Sequence, residues 1–160
     1  MGTQVDLMKE YVESVFNRID RTLIGIEEKH IHWKPTEVSN NCDWLLNHMS
    51  RIASVSLPRI LTGNQEYTPT GWSDSYRDDS HSLEDYKSDI AAAKQVIISA
   101  MDKVSDAMLD EEIPLYRGRM AKRKVALFNY IDELIHHNGQ IAYLKGTMTR
   151  LAEKDPSFLK

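Results

Sequence analysis

The chain has 160 residues, of which 41% are hydrophobic, and this length predicts a single domain over residues 1–160 with one core. The formal net charge of −4 argues against general nucleic-acid binding, because a duplex binder needs a basic excess to displace counterions. The only cysteine, Cys42, excludes an internal disulfide, and no window approaches 18 uninterrupted apolar residues. We therefore expect a cytoplasmic protein that binds neither nucleic acid nor membrane.

In the first half of the chain, apolar residues recur at three- and four-residue steps in two segments. Residues 4–28 show the pattern of an amphipathic helix. A loop rich in Ser and Asn follows, and a second helix is predicted to begin near Asn41 and to stop at Gly63. Pro58 lies inside this second helix, so we expect a kink or an early end within residues 55–61.

The second half combines two long loops with two more helices. Residues 63–81 place aromatic side chains among polar ones without any period, which predicts a loop that covers part of the protein or of a partner chain. A third helix is predicted from Ser82 to Met108, starting with a capping box. Pro and Gly break the pattern in residues 110–124, and a fourth helix follows over residues 127–151.

Four long helices with almost no strand signal predict an all-α protein, a four-helix bundle with long loops between helices 2 and 3 and between helices 3 and 4. Bundles of this kind build metal sites from side chains on facing helices.

One candidate metal site stands out in the helical patterns. Glu133 and His137 are four residues apart in the fourth helix, so a carboxylate and an imidazole on one helix face can converge on one ion. The best third ligand is His48, the only other histidine within a strongly apolar helical pattern. The alternative at these positions is a set of hydrogen-bonded core or boundary residues without a metal.

Neighbouring polar residues leave further alternatives open. His136 lies about 100° around the helix from His137 and is expected to face away from the site. Gln140 shares the Glu133 and His137 side, where it either lines the pocket and binds substrate or hydrogen-bonds a neighbouring helix. Cys42, near a helix start, has either a lowered thiol pKa or the role of a small buried hydrophobe.

Two short stretches resemble the DinB-like superfamily, four-helix proteins that include metal-dependent hydrolases of the YfiT type. These are NCDWLLNHM in the second helix and LIHHNGQIAYL in the fourth, and the W-x-P of Trp33 to Pro35 is similar to the family's first loop. The resemblance spans roughly residues 5–152. It implies a divalent metal, commonly nickel or zinc, held by one histidine of the second helix and an H-x-x-x-H of the last. His48 and His137 match the first and third of these ligands.

The middle ligand departs from the family pattern, because Glu133 stands where histidine is usual. Glutamate keeps the ligand count and the i, i+4 geometry, and two histidines with one carboxylate form a known set for zinc and for non-haem Fe(II). The sequence therefore predicts one Ni, Zn or Fe ion per chain.

The basic residues that precede the fourth helix have two interpretations. The cluster from Arg117 to Lys124 is either a solvated connection or a binding site for an anion. Members of the superfamily include transferases that use low-molecular-weight thiols such as bacillithiol and mycothiol, and bacillithiol carries carboxylates. On that interpretation Arg117 and Arg119 straddle Gly118 and clamp one carboxylate of a small-molecule substrate.

The resemblance together with the candidate ligands predicts a metal-dependent enzyme, either a thiol-dependent S-transferase or a hydrolase. A metal with three protein ligands and one exchangeable position activates a thiol or a water at neutral pH. The competing hypothesis is a non-catalytic, stress-related helical protein in which the polar trio is structural. In both cases we expect a homodimer.

Overall fold

The computed structural model describes residues 3–115, 118–155 and 157–158, and this part of the chain is mainly helical. The helices and strands, in chain order, are α1 (Gln4–Leu23), α2 (Cys42–Arg51), α3 (Leu57–Thr62), α4 (Leu83–Met101), α5 (Asp106–Leu109), β1 (Glu112–Pro114), β2 (Met120–Lys122) and α6 (Arg123–Lys154). A 3₁₀ turn occupies Glu28–His30, and a π-helical turn occupies Ile52–Ser56 between α2 and α3.

The first helix begins and ends at clear local signals. Thr3 and Asp6 form a capping box in which each side chain accepts a hydrogen bond from the other's backbone N–H. The helix ends at Leu23, short of the predicted residue 28, because Gly25 adopts φ 77°, a left-handed conformation that glycine tolerates. Ile26 lies beyond the helix but is buried, which explains why the apolar pattern continued past the helix end.

The predicted second helix is one continuous rod made of α2, the π-helical turn and α3. Asn41 caps it, since its Oδ1 accepts from Trp44 N–H at 2.9 Å, and Gly63 ends it in the left-handed conformation. Pro58 lacks an N–H and its ring crowds the preceding turn, and the wider π-helical turn just before it relieves that conflict. The irregularity therefore takes the form of a π-helical turn on the N-terminal side of the proline, and the predicted early end within residues 55–61 is wrong, because the helix continues to Thr62.

The long helices run up, down, down and up. Lys94 of α4 donates to Asn17 Oδ1 at 2.8 Å, and Asp102 just after α4 pairs with Lys9, so α4 is antiparallel to α1. The Tyr11 and Phe128 rings are in contact, and Lys145 of α6 donates to Thr22 O at 3.1 Å, so α6 is parallel to α1. The α2–α3 rod runs in the same direction as α4 and opposite to α6. Because α3 and α4 run in the same direction, residues 63–82 must pass back along the length of the bundle to connect them. We call this segment the crossover loop.

The third helix ends earlier than predicted. α4 stops at Met101, and a separate short helix, α5, starts behind Ser105, whose hydroxyl accepts from Met108 N–H at 3.3 Å. The apolar period had predicted one helix through Met108. Val104 packs against the core although it is not helical, so the apolar pattern continued beyond the end of the helix.

A short antiparallel hairpin precedes α6, and the sequence pattern did not predict it. Its strands pair Glu112 with Lys122 and Pro114 with Met120. At its end Arg123 is buried and donates to the carbonyls of Ile60 and Leu61 at 2.6 and 2.8 Å. Arg123 therefore joins the start of α6 to the end of α3. The predicted solvated connection does not describe this residue of the basic cluster.

Buried side chains from all the long helices form one core cluster, which positions α2 and α6 against each other. Within the described residues, no helix has the length and the apolar run needed to cross a membrane.

Candidate metal centre

The facing sides of α2 and α6 bring His48, Glu133 and His137 together, as the sequence predicted. One potential ligand atom from each of the three lies within 4.8 Å of those of the other two. The His48 and His137 rings meet edge to face, with centroids 4.8 Å apart. His137 is buried, whereas Glu133 is 54% exposed at its side chain, so the trio lies at the surface with one imidazole set into the bundle.

His137 is held in one tautomer by a residue one turn further along α6. Its Nδ1 lies 2.8 Å from Gln140 Oε1, and because that oxygen can only accept, Nδ1 carries the proton. Nε2 is then the free lone pair, and it points toward Glu133 Oε2 at 3.3 Å. This arrangement is typical of a metal-ligating histidine, whose second nitrogen donates to a fixed acceptor.

Gln140 is itself oriented by the neighbouring histidine. Its Nε2 lies 3.2 Å from His136 Nε2, so the amide nitrogen faces His136 while the amide oxygen faces His137. His136 is exposed, as expected, but it takes part in this network. Gln140 therefore contacts a residue of the trio on its own helix, in place of the predicted neighbouring helix, and its substrate-binding role stays a prediction.

His48 lies half-buried between an aromatic ring and a guanidinium. Trp44, one turn earlier, stacks on its ring with centroids 5.4 Å apart and also meets His137 edge to face at 6.1 Å. Arg51 Nη2 lies 3.2 Å from His48 Nδ1. Burial lowers the pKa of His48, and the nearby His137 and Arg51 lower it further, so the neutral ring is favoured.

The donor set and spacing fit a divalent cation. Two imidazole nitrogens and one carboxylate oxygen form a ligand set for zinc, and also for non-haem Fe(II). Ligand atoms of a tetrahedral zinc site lie roughly 3.4 Å apart, because each bond is about 2.0–2.1 Å long. The His137–Glu133 separation of 3.3 Å already has this value, and the His48 ring would have to come closer to complete the set.

The crossover loop reaches the site through a chain of hydrogen bonds. Asn47 is buried, its Nδ2 donates to Tyr76 O at 3.2 Å, and its Oδ1 accepts from Arg51 Nε at 3.1 Å. Tyr76 is buried, stacks on Trp72 with centroids 3.5 Å apart, and donates to Asp89 Oδ2. The prediction that aromatic residues of this loop pack on the bundle is confirmed for Tyr76.

Other predicted site residues lie apart from the trio or outside the described residues. Arg117 is outside the described residues, and Arg119 is exposed in the turn of the hairpin at the N-terminal end of α6. About 21 Å of helix rise separates Arg123 from His137. Anion binding by Arg117 and Arg119 stays a prediction. Cys42 is fully buried, which raises the pKa of its thiol to about 11 and makes it a small hydrophobe.

Sequence reasoning did not assign Trp44, Asn47 or Arg51 to the site. Trp44 appeared only as an apolar helix position. Its spacing of four residues from His48, and the three-residue spacing from His48 to Arg51, were visible signals of a shared helix face. The contact of Asn47 with the crossover loop had no such signal.

Comparison with known proteins gives the family. The family described as Mycothiol-S-transferase matches residues 7–149, nearly the whole chain. The chain belongs to the mycothiol S-transferase family. This membership confirms the resemblance to the DinB-like superfamily. No curated protein matches the sequence.

Solved structures share the fold at low sequence identity. A conserved protein from Enterococcus faecalis is 16% identical and aligns over 90% of this chain and 96% of its own, with a TM-score of 0.68. A DinB-like protein from Bacillus subtilis is 19% identical, over 88% of this chain and 91% of its own, with a TM-score of 0.67. A histidine-to-alanine variant of the mycothiol-dependent maleylpyruvate isomerase is 12% identical and also has a TM-score of 0.67. This chain covers 63% of that isomerase.

Proposed function

We propose that this mycothiol S-transferase family member is a divalent-metal-dependent enzyme that transfers a low-molecular-weight thiol to an electrophilic small molecule. The observation that carries the proposal is the convergence of two imidazoles and one carboxylate within 4.8 Å, in a chain whose family is described by thiol S-transfer. Bacillithiol and mycothiol are the first thiols to test.

The residues that would hold the metal are His48, Glu133 and His137. A bound divalent cation would lower the pKa of a thiol in its exchangeable position, which would give a nucleophile at neutral pH. Gln140 keeps His137 in the tautomer that presents Nε2. Trp44 covers both imidazoles from one side, although it is 47% exposed, and so limits the access of water to them.

The proposed thiol transfer involves no change of oxidation state and needs no redox partner. The thiol sulfur forms the new bond to an electrophilic carbon, the thiol proton passes to solvent, and the leaving group departs with the electron pair of the broken bond. Within the described residues Cys42 is the only thiol and is buried, which supports a thiol brought in as co-substrate.

The first test is metal content. Protein purified without a metal-affinity tag should contain about one Ni, Zn or Fe per chain by elemental analysis. His48→Ala and His137→Ala should lose the metal, because two donors bind a divalent ion far less tightly than three. Glu133→His should retain it, since the ligand count and the helical spacing are kept. His32→Ala removes an imidazole that is 63% exposed and serves as the matched control.

The second test is turnover. The metal-loaded protein is assayed against a panel of electrophiles with bacillithiol, mycothiol, glutathione and coenzyme A, and metal-dependent consumption of one thiol is expected. Full metal content in both histidine variants would show that the trio is not the metal site. Stoichiometric metal without thiol-dependent turnover would favour hydrolysis or the non-catalytic hypothesis. The homodimer and the cytoplasmic location also stay predictions.

A further inference from the structure

Among the described residues, Arg51 places a positive charge in direct contact with the candidate metal centre. It lies on α2, one turn after His48, and is half-buried. Its Nε donates to Asn47 Oδ1 at 3.1 Å, which fixes the base of the guanidinium, while Nη2 reaches His48 Nδ1 at 3.2 Å. Among the described residues, no carboxylate forms an ion pair with it within 4.0 Å.

This contact conflicts with metal binding by His48. A guanidinium has five N–H donors and no acceptor, so His48 Nδ1 must accept, and the proton of the neutral ring is on Nε2. If a metal binds Nε2, the proton must move to Nδ1, where it faces the Arg51 donor. If a metal binds Nδ1, it needs the lone pair that Arg51 occupies. In both cases a neutral His48 cannot hold a metal and this hydrogen bond together.

We infer that metal binding releases Arg51 from His48, and that the released guanidinium binds the carboxylate of an incoming carboxylate-bearing thiol beside the metal. The inference rests on the proposed function and adds to it the residue that recognises the charged end of the co-substrate. It also assigns to Arg51 the anion-binding role that the sequence had suggested for Arg117 and Arg119.

The surroundings of Arg51 match this role. Asn47 holds Nε and is itself held by the carbonyl of Tyr76, so the side chain stays at the centre after its outer nitrogens are freed. A planar guanidinium with two free outer nitrogens binds a carboxylate in a bidentate manner. Arg77 of the crossover loop adds a second positive charge that acts on both Arg51 and His48, and Asp78 opposes it at Arg51.

The release step is tested by metal affinity, without any turnover. Arg51→Met keeps the apolar stem but removes both the competing donor and a positive charge next to the cation. We expect its Zn²⁺ affinity, measured by competition with a chromophoric chelator, to rise by about fivefold or more over wild type. Arg18→Gln removes an exposed guanidinium from α1 and should leave the affinity unchanged. An unchanged or weakened affinity in Arg51→Met would overturn the release step.

The anion-binding step is tested with two small thiols on the Co²⁺-loaded protein. The sulfur-to-cobalt charge-transfer absorption gives the dissociation constants of 3-mercaptopropionate and 2-mercaptoethanol, and the ratio between them isolates the carboxylate within each protein. We expect wild type and Arg18→Gln to favour 3-mercaptopropionate, and Arg51→Met to lose about tenfold of that preference. Arg51→Lys keeps a positive charge and should keep part of it, which guards against a folding defect in the methionine variant.

The outcomes separate the inference from the function on which it rests. Equal thiol preference in wild type and Arg51→Met would overturn the anion-binding step while leaving the thiol transferase intact. Failure of both thiols to bind the cobalt in every variant would contradict the thiol-dependent function and remove the anion-binding step with it. In that case the change in Zn²⁺ affinity of Arg51→Met would still decide the release step.

Discussion

Replacing Gln140 by methionine is predicted to weaken metal binding without removing a ligand. Methionine has nearly the same length and shape, but it offers no strong acceptor to the Nδ1–H of His137, which Gln140 Oε1 holds at 2.8 Å. Without that acceptor the ring is free to rotate and to exchange tautomers, and Nε2 no longer points steadily toward Glu133.

The size of the effect follows from the single hydrogen bond that is lost. Loss of the partner of a metal-ligating histidine typically costs 10–100-fold in metal affinity, or about 1.4–2.7 kcal/mol. Gln140→Glu restores an acceptor of the same reach, and a carboxylate increases the basicity of the imidazole, so its metal affinity should equal or exceed that of wild type.

Competition with a chromophoric chelator at neutral pH measures these affinities directly. Gln95→Met, at an exposed position of α4, controls for the general effect of exchanging glutamine for methionine. If Gln140→Met binds Zn²⁺ as tightly as wild type, the proposed positioning of His137 is refuted. A raised KM for substrate at unchanged metal affinity would instead support the substrate-binding role that the sequence suggested for Gln140.

Two further predictions concern buried groups outside the trio. Cys42 should not react with a thiol reagent at pH 8 in the native protein, because burial raises the pKa of its thiol to about 11. It should react fully in urea, and rapid labelling of the native protein would contradict its burial. Arg123→Met should lower the free energy of unfolding in urea by about 3 kcal/mol, since it leaves the carbonyls of Ile60 and Leu61 without their charged donor. Lys124→Met, which removes only a partly exposed ion pair, should cost less than about 1 kcal/mol, and equal effects of the two variants would refute the structural role of Arg123.

The helices were predictable because each buries one stripe of side chains. Apolar residues at three- and four-residue steps predicted α1, the α2–α3 rod, α4 and α6. Capping residues such as Asn41 and Ser82 indicated where helices begin. The hairpin before α6 was missed, because three-residue strands have too few positions to show a period of two. The end of α4 was predicted too late in the chain. Val104 lies in a turn after the helix but packs against the core, so it continued the apolar pattern.

Some residues of the candidate site could be predicted from local sequence, whereas others depend on tertiary contacts. Glu133 and His137 were predictable because their convergence depends only on the helical repeat. His48 could be added only by its apolar context and by the resemblance to a family. The contacts of Arg51 and Asn47 depend on where the crossover loop returns along the bundle, and no local pattern contains that path.

Glu133 lies where the sequence resemblance implied a histidine, and these tertiary contacts suggest a physical reason for a carboxylate there. The positive charges of Arg51 and Arg77 both act on His48, so a divalent cation at this centre would lie among like charges. Three neutral imidazoles would supply no negative charge against them, whereas the Glu133 carboxylate supplies one at ligand distance. Glu133 is also 54% exposed at its side chain, so its carboxyl group stays in contact with solvent. On the proposed function, the Glu133 carboxylate would let the metal centre tolerate Arg51, and Arg51 would let a centre that contains a carboxylate still attract an anionic co-substrate.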